Sequence, residues 1–314
     1  MTMRASRKKL TSLRAKNIWN SIAFAVETIL CGKYKSYLYF VFMAAVSYIY
    51  AVRSLQTVEA VEQLRSHVNR TYQRNEMNMS AFSLRYTYAD ALKFAVMYEH
   101  EEYVQHLLEH HAEDAFKEQA CCPVVFIAVY SGFASIVELL CRHAQKANVV
   151  KNERCYIDSP GCTALENGKI PLQVAVELGM VDVTKILLRY GADLMASDRQ
   201  VSILDRFLTS AVCKTDTQRH PHQFDVDSFG EGCMWQCVLQ LLRCESKLTV
   251  NVRENLAKLA EIANEHLELD IDAPVRLQDQ CRNCIRHYIG HQRLPLGISQ
   301  LQLPTTLKKF IDFE

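Results

Sequence analysis

The stretch GKIPLQVAVELGMVDVTKILLRYGADL, residues 168–194, predicts two short helices separated by a tight turn. Pro171 suits the first helical turn, because its φ is already helical and its missing N–H would have no partner there. The small side chain of Ala175 lets neighbouring helices approach closely. Gly179 ends the first helix, and Gly191 accepts a left-handed conformation in the exit turn. The sequence therefore predicts a compact two-helix unit in this stretch.

Two earlier segments, 92–108 and 125–140, repeat this pattern. Their alanines set the register, because Ala95 and Ala128 are 33 residues apart while Ala128 and Ala175 are 47 apart. Paired helices with a 33-residue period resemble the ankyrin repeat. The fold that this resemblance implies is all-α, an ankyrin-repeat solenoid of three to four degenerate repeats.

The extra residues before the last of these units predict an inserted loop over 144–167. A weaker fourth unit begins at 202–205, and its second helix resumes at 235–242 after a polar interruption over 214–231. An amphipathic helix over 251–269 is expected to cover the end of the stack. Both loops are candidate contact regions, because insertions in solenoids often lie on the binding face, but solvated spacers are the commoner identity of such segments.

The last forty residues carry two apolar patterns. The first has Leu277, Cys281 and Ile285 spaced four apart, so on a helix they form a narrow stripe suited to a shallow groove on a partner. The second comprises Leu301, Leu303, Pro304, Leu307, Phe310 and Ile311. Together, with a short connection over 290–295, they resemble a SOCS box and predict a C-terminal helical SOCS-box-like module.

The SOCS-box resemblance implies two partners. In that family the first pattern docks elongin C, so Leu277, Cys281 and Ile285 are the expected elongin-binding residues. The second pattern addresses cullin-5, which makes its six residues the expected cullin-binding set. Gln302 stands where the family usually has its first proline. A plain amphipathic capping helix would also place apolar residues four apart, and it is the alternative interpretation.

Ankyrin repeats followed by such a C-terminus resemble the ankyrin-repeat and SOCS-box receptors, and most closely the ankyrin repeat domain-containing protein 9 group. The stretches 51–55, 89–108 and 158–178 carry this resemblance. It implies a substrate-recognition subunit of an elongin B/C and cullin-5 RING ubiquitin ligase, with IMP dehydrogenase as a possible client class. The alternative is a non-catalytic ankyrin scaffold or adaptor that recruits no ligase.

These patterns divide the chain into an N-terminal extension and helical region over 1–80, a solenoid with inserted loops over 81–270, and the SOCS-box-like module over 271–314. Each boundary follows a change in the apolar pattern. The repeats are thus expected to lie between a region without a counterpart and the terminal module.

An uncharged apolar run at 37–52 could be a membrane anchor or a buried helix. Its 16 residues fall short of the ~20 that a spanning helix needs, and positive charge flanks it on both sides. Burial against the first repeat is the favoured interpretation, with Val46, Ile49 and Tyr50 as the expected contacts. A membrane association is therefore not expected.

Charge and motif content exclude several classes of function. Thirty-six Lys plus Arg against thirty-five Asp plus Glu give a net charge of +1, which offers no electrostatic footprint for nucleic acid. No glycine-rich phosphate loop, GxSxG or HExxH motif occurs, so neither catalysis nor a cofactor is expected. A cytoplasmic location is therefore expected, and the resemblance implies a protein that binds other proteins.

Twelve cysteines are scattered through apolar stretches, which is typical of reduced cytosolic thiols. A zinc site is the competing hypothesis. Its candidate ligands are Cys233, Cys237 and Cys244 near His220 and His222, together with the CxxC pair Cys281 and Cys284. These spacings do not form two close pairs with a regular gap, so no metal site is predicted.

Overall fold

The computed structural model describes residues 35–73, 86–117, 122–147, 149–151, 154–162, 168–195, 201–217, 233–245, 248–262, 276–290 and 293–313. The chain divides into two compact units, one within 3–147 and one within 148–314. The start of the chain, the centre of the 214–231 interruption and the end of the 251–269 segment lie outside the described residues.

Helices joined by turns make up the described residues of the first unit. Its helices are α1 Lys35–Arg53, α2 Val58–Gln73, α3 Tyr88–Met97, α4 Glu101–His110, α5 Ala112–Lys117, α6 Val124–Ser131 and α7 Ala134–Lys146. The pairs α3/α4 and α6/α7 are the first two repeats, and α3 packs against α6 while α4 packs against α7. The first helices of the two repeats therefore stack on each other, and so do the second helices, as the 33-residue period predicts.

The second unit contains the remaining repeats and the C-terminal module. Its elements are β1 Val150–Lys151, β2 Arg154–Cys155, a 3-10 turn Tyr156–Asp158, α8 Pro171–Glu177, α9 Val181–Arg189, α10 Ile203–Thr217, α11 Cys233–Leu242, α12 Val250–Ile262, α13 Leu277–Ile289, α14 Leu296–Ser299 and α15 Thr305–Ile311. The all-α fold class is confirmed, with one short hairpin added to it.

Local sequence signals account for the observed helix ends. Thr87 and Asp90 form a reciprocal capping box that starts α3, in which each side chain accepts a hydrogen bond from the other residue's backbone N–H. Pro171 occupies the first turn of α8 as expected. Gly191 follows α9 with φ +84°, a left-handed conformation that side chains with a Cβ rarely adopt. The register read from the sequence of this repeat is confirmed.

The fourth unit and its covering helix are present in the second unit. Helix α10 packs against α8, and α11 packs against α9, so this pair continues the stacking of the third repeat. Helix α12 packs against α10. The expected helix in the 251–269 segment therefore begins at Val250 and covers the fourth unit.

Helix α1 packs on α2 and on α3 of the first repeat, so the expected burial of the apolar run is confirmed. The predicted contact residues are wrong, because Val46 and Tyr50 are exposed and Ile49 is half-buried. The buried face instead comprises Ala44, Ala45, Tyr48, Ala51 and Val52. The apolar run has no internal charge to mark its outer face, so the sequence left the orientation open. Among the helices that the structure describes, none is both long and apolar enough to cross a membrane.

A polar network joins α2 to the helices of the first repeat. The Tyr103 hydroxyl of α4 donates a hydrogen bond to Glu62 of α2 at 2.5 Å, and the same carboxylate forms a 2.8 Å salt bridge with Arg65. The Arg65 guanidinium lies 4.0 Å from the ring centroid of Tyr88. Burial raises the pKa of Glu62, but hydrogen bonds from Arg65 and Tyr103 outweigh it, so its net pKa is lowered.

The insertion before the third repeat is more ordered than a solvated loop. Its strands pair antiparallel with Val150 opposite Cys155 and Lys151 opposite Arg154. Tyr156 and the next three residues are buried. The insertion therefore supplies core side chains to its own unit, and the expectation of an exposed spacer does not hold for this part of 144–167.

Candidate functional site

The C-terminal module, formed by α13, α14 and α15, has a small apolar core of its own. Leu294, Ile298 and Ile311 are buried at its centre, and Ile285, Ile289, Leu301, Leu303 and Phe310 pack around them. Gly297 lets α14 approach α13, because a Cβ there would lie 2.5 Å from Cγ2 of Ile289. The module thus packs most of its apolar side chains against one another.

One face of α13 remains uncovered. Leu277 is 74% exposed and Tyr288 is 93% exposed, with Cys281 and Cys284 also exposed between them. The spacing of four, three and four residues places all four side chains in one line along the helix. This α13 stripe presents an aliphatic side chain, two small thiols and an aromatic ring to solvent.

The stripe only partly coincides with the predicted elongin-binding set. Leu277 and Cys281 lie on it, whereas Ile285 is half-buried and packs against the core of the module. Sequence reasoning missed Cys284 and Tyr288. A count in steps of four followed by three, rather than in steps of four alone, would have found them, because a straight helix has 3.6 residues per turn.

The predicted cullin-binding residues separate into an exposed and an internal group. Pro304 is exposed at the start of α15, and Leu307 is 48% exposed. The internal group, which belongs to the core of the module or its edge, comprises Leu301, Leu303, Phe310 and Ile311. Sequence spacing could not separate the two groups, because both are apolar and lie on one short segment.

The face of α13 opposite the stripe carries two buried arginines. Arg286 donates hydrogen bonds to the carbonyl oxygens of Leu188 and Arg189 at the end of α9, the latter at 3.1 Å, and to Ile311 O at 3.0 Å. Burial lowers the pKa of Arg286 to about 10, so it stays protonated at neutral pH. No sequence signal predicts this contact, because arginine on an amphipathic helix is normally assigned to solvent.

Arg282 lies beside it in a similar setting. Its guanidinium lies 4.7 Å from the ring centroid of Phe310 and 4.5 Å from that of Phe313, and it is paired with Asp279. Burial lowers its pKa, while the Asp279 carboxylate opposes that shift. The aromatic rings and the carboxylate together compensate the desolvated charge.

Two candidate zinc ligands, His220 and His222, lie outside the described residues. Within the described residues, no three His, Cys, Asp or Glu side chains form a group that could hold a metal ion. Cys281 and Cys284, the CxxC pair, both belong to the α13 stripe.

Comparison with known proteins agrees with this geometry. A family model described as ankyrin repeats (3 copies) matches residues 92–198, which run from within α3 to just beyond α9, and a SOCS box model matches residues 273–312, which contain α13, α14 and α15. Neither the curated proteins nor the solved structures contain a match to the chain. The matched segments, the stacked helix pairs and the terminal module have the same order, and the chain is therefore an ankyrin-repeat protein with a C-terminal SOCS box.

Proposed function

We propose that this protein is the substrate-recognition subunit of an elongin and cullin-5 type RING ubiquitin ligase. In this role the ankyrin repeats bind the client protein, and the SOCS box binds elongin C and the cullin. The chain itself performs no chemical step and acts by holding the client near the ligase. The observation that carries the proposal is the exposed α13 stripe on a SOCS box whose own core is already filled.

The stripe has the physical properties of a docking surface. Leu277 and Tyr288 leave most of their apolar area in water, although the other face of the same helix is packed. Covering such area recovers about 25 cal/mol for each Å² removed from water. Two small thiols between these side chains leave room for a partner backbone or side chain to approach. Elongin C is the partner that the SOCS-box resemblance implies for this surface.

The three residues of the elongin-binding set are expected to contribute unequally to the binding of elongin C. Leu277 is the proposed anchor, because a largely exposed aliphatic side chain gains most from a partner pocket. Cys281 lies one turn along, where its small size lets the helix lie close to elongin C. Ile285 contributes through its exposed part and holds the helix on the core of the module.

The cullin contact is assigned to the segment around Pro304. Pro304 and Leu307 are the exposed members of the predicted set, so they are the proposed direct contacts. Leu301, Leu303, Phe310 and Ile311 pack on the core of the module and support the shape of that segment. Elongin B would enter the complex through elongin C, and IMP dehydrogenase is the client class that the family resemblance implies.

Co-purification with elongins B and C tests the proposal. Leu277→Ala combined with Cys281→Phe should lower affinity at least about thirtyfold, since removing a buried aliphatic anchor costs about 2 kcal/mol or more. Val250→Ala is the matched control, because Val250 is a 72% exposed aliphatic residue on α12, outside the SOCS box. Full elongin binding by the double variant, or no binding by the unmodified chain, would favour a scaffold in which the module only covers the repeats.

A further inference from the structure

The SOCS box is attached to the third repeat through the C-terminal end of α9. A helix end leaves backbone carbonyl oxygens without partners in the helix and carries partial negative charge. Arg286 supplies the complementary charge, and its guanidinium donates to the carbonyl oxygens of Leu188 and Arg189. Its other amino group donates to Ile311 O at the end of α15. One side chain therefore joins α13 to the ends of two further helices.

A second contact joins α9 to the end of α15. The guanidinium of Arg189, at the end of α9, forms a 2.7 Å salt bridge with the carboxylate of Asp312, directly after α15. Asp312 is 8% exposed, so solvent screens this pair less than a surface pair. On the neighbouring side, the Asn283 side chain donates to Arg243 O beyond α11 at 3.1 Å.

The geometry of Arg286 restricts how the module can turn. Its planar guanidinium donates in fixed directions to three carbonyl oxygens, and it lies 4.7 Å from the ring centroid of Phe313. Rotation of α13 about its axis would break these bonds and leave a buried charge without partners, at high cost. A contact made only of apolar side chains would permit such a rotation more easily.

We propose that Arg286 and the Arg189–Asp312 pair are positioning residues that hold the SOCS box in one orientation on the third repeat. They thereby set the direction in which the α13 stripe faces relative to that repeat. The inference rests on the proposed function in taking elongin C as the partner of the stripe. For a ligase, this orientation decides where the bound elongin and cullin stand relative to the repeat.

Positioning and elongin binding should be separable, because they use opposite faces of α13. Arg286 is buried and does not belong to the stripe, whereas Leu277 is 74% exposed. Changes at Arg286 should thus leave elongin affinity within roughly twofold, as for independent sites. Changes in the stripe should leave the orientation of the module unaltered.

A distance measurement on the full chain tests the orientation. Spin labels would be placed at Lys185 on α9 and His287 on α13, both exposed. They would be attached through noncanonical amino acids, because the chain has twelve cysteines. Pulsed EPR without elongin should give one narrow distance distribution for the otherwise unmodified chain, and a broadened or shifted one for Arg286→Gln. An unchanged narrow distribution in Arg286→Gln would overturn the proposal.

A charge reversal distinguishes orientation from loss of folding. Arg189→Glu and Asp312→Arg should each broaden the distribution, and the double variant should narrow it again, because the pair is restored with its charges exchanged. If the distance distribution of the double variant stayed broad, the Arg189–Asp312 ion pair would have no part in orienting the SOCS box. Since these distances are measured without elongin, a chain that fails to bind elongin would refute the proposed function and leave this test intact.

Discussion

The Asp158 carboxylate accepts a hydrogen bond from the backbone N–H of Asp193 at 3.1 Å. This bond joins the inserted segment to the exit turn of the third repeat, two residues after Gly191. Asp158 is 5% exposed, so the turn is held from within the unit by a residue of the insertion. The insertion therefore helps to hold the exit turn of the third repeat, which follows it in the chain.

We expect Asp158→Ala to destabilise the second unit by about 1–3 kcal/mol, since it leaves the partly buried N–H of Asp193 without its charged acceptor. Asp158→Asn keeps an acceptor oxygen and should lose less. Urea unfolding of the full chain measures both variants. Equal and negligible losses would mean that the insertion does not hold the exit turn.

Changing Ala175 to leucine should cost roughly 1–3 kcal/mol, because extra methylene groups must enter a fully packed position. Ala175 is completely buried in α8. Gly191→Val should also destabilise, since a β-branched residue is strained at φ +84°. Thermal unfolding compares the midpoint of each variant with that of the unmodified chain. Unaltered midpoints would show that the register of the third repeat is wrong.

The orientation of α1 can be tested with two tyrosines on that helix. Tyr48 is fully buried, with its ring centroid 5.0 Å from that of Tyr86, whereas Tyr50 is 63% exposed. Tyr48→Ala should therefore cost about 3–5 kcal/mol, as for other large buried aromatic residues. Tyr50→Ala should stay within about 0.5 kcal/mol of the unmodified chain. Chemical denaturation would contradict this orientation of α1 if the order of the two losses were reversed.

Glu62→Gln should lower the unfolding free energy of the first unit most strongly near neutral pH. Because the folded-state pKa of Glu62 lies below its ordinary value of 4.5, its ionised form contributes stability that is fully present above that value. The contribution is lost as the pH falls through the lowered pKa. The difference in unfolding free energy between the unmodified chain and the variant should therefore shrink in acid. Glu59→Gln, an exposed change on the same helix, is the control and should show little pH dependence.

Cullin recruitment should be separable from elongin binding. Pro304→Ala with Leu307→Ala removes exposed side chains beyond α13 and leaves the core of the module in place. We expect cullin-5 co-precipitation to fall while elongin C is retained. Leu301→Ala is less selective, because Leu301 packs on that core. Loss of elongin together with the cullin would show that the two contacts are coupled through the fold of the module.

The repeats were predictable because their signals are local. Pro171 and Gly191 restrict φ at the start and end of a two-helix unit, and the 33-residue interval between Ala95 and Ala128 sets the register. The SOCS box was predictable for a similar reason, since Leu277 and Cys281 lie one helical turn apart and precede a second apolar pattern.

The sequence by itself therefore determined the repeat type, the terminal module and the existence of an exposed pair on α13. Only the tertiary structure decided that Ile285 turns toward the core, that Cys284 and Tyr288 extend the stripe, and that Tyr48 rather than Tyr50 is buried. Periodicity identifies a face of a helix, but packing against other elements decides which face is covered. The contact of Arg286 with Leu188 joins residues 98 positions apart, a separation at which no local pattern carries information.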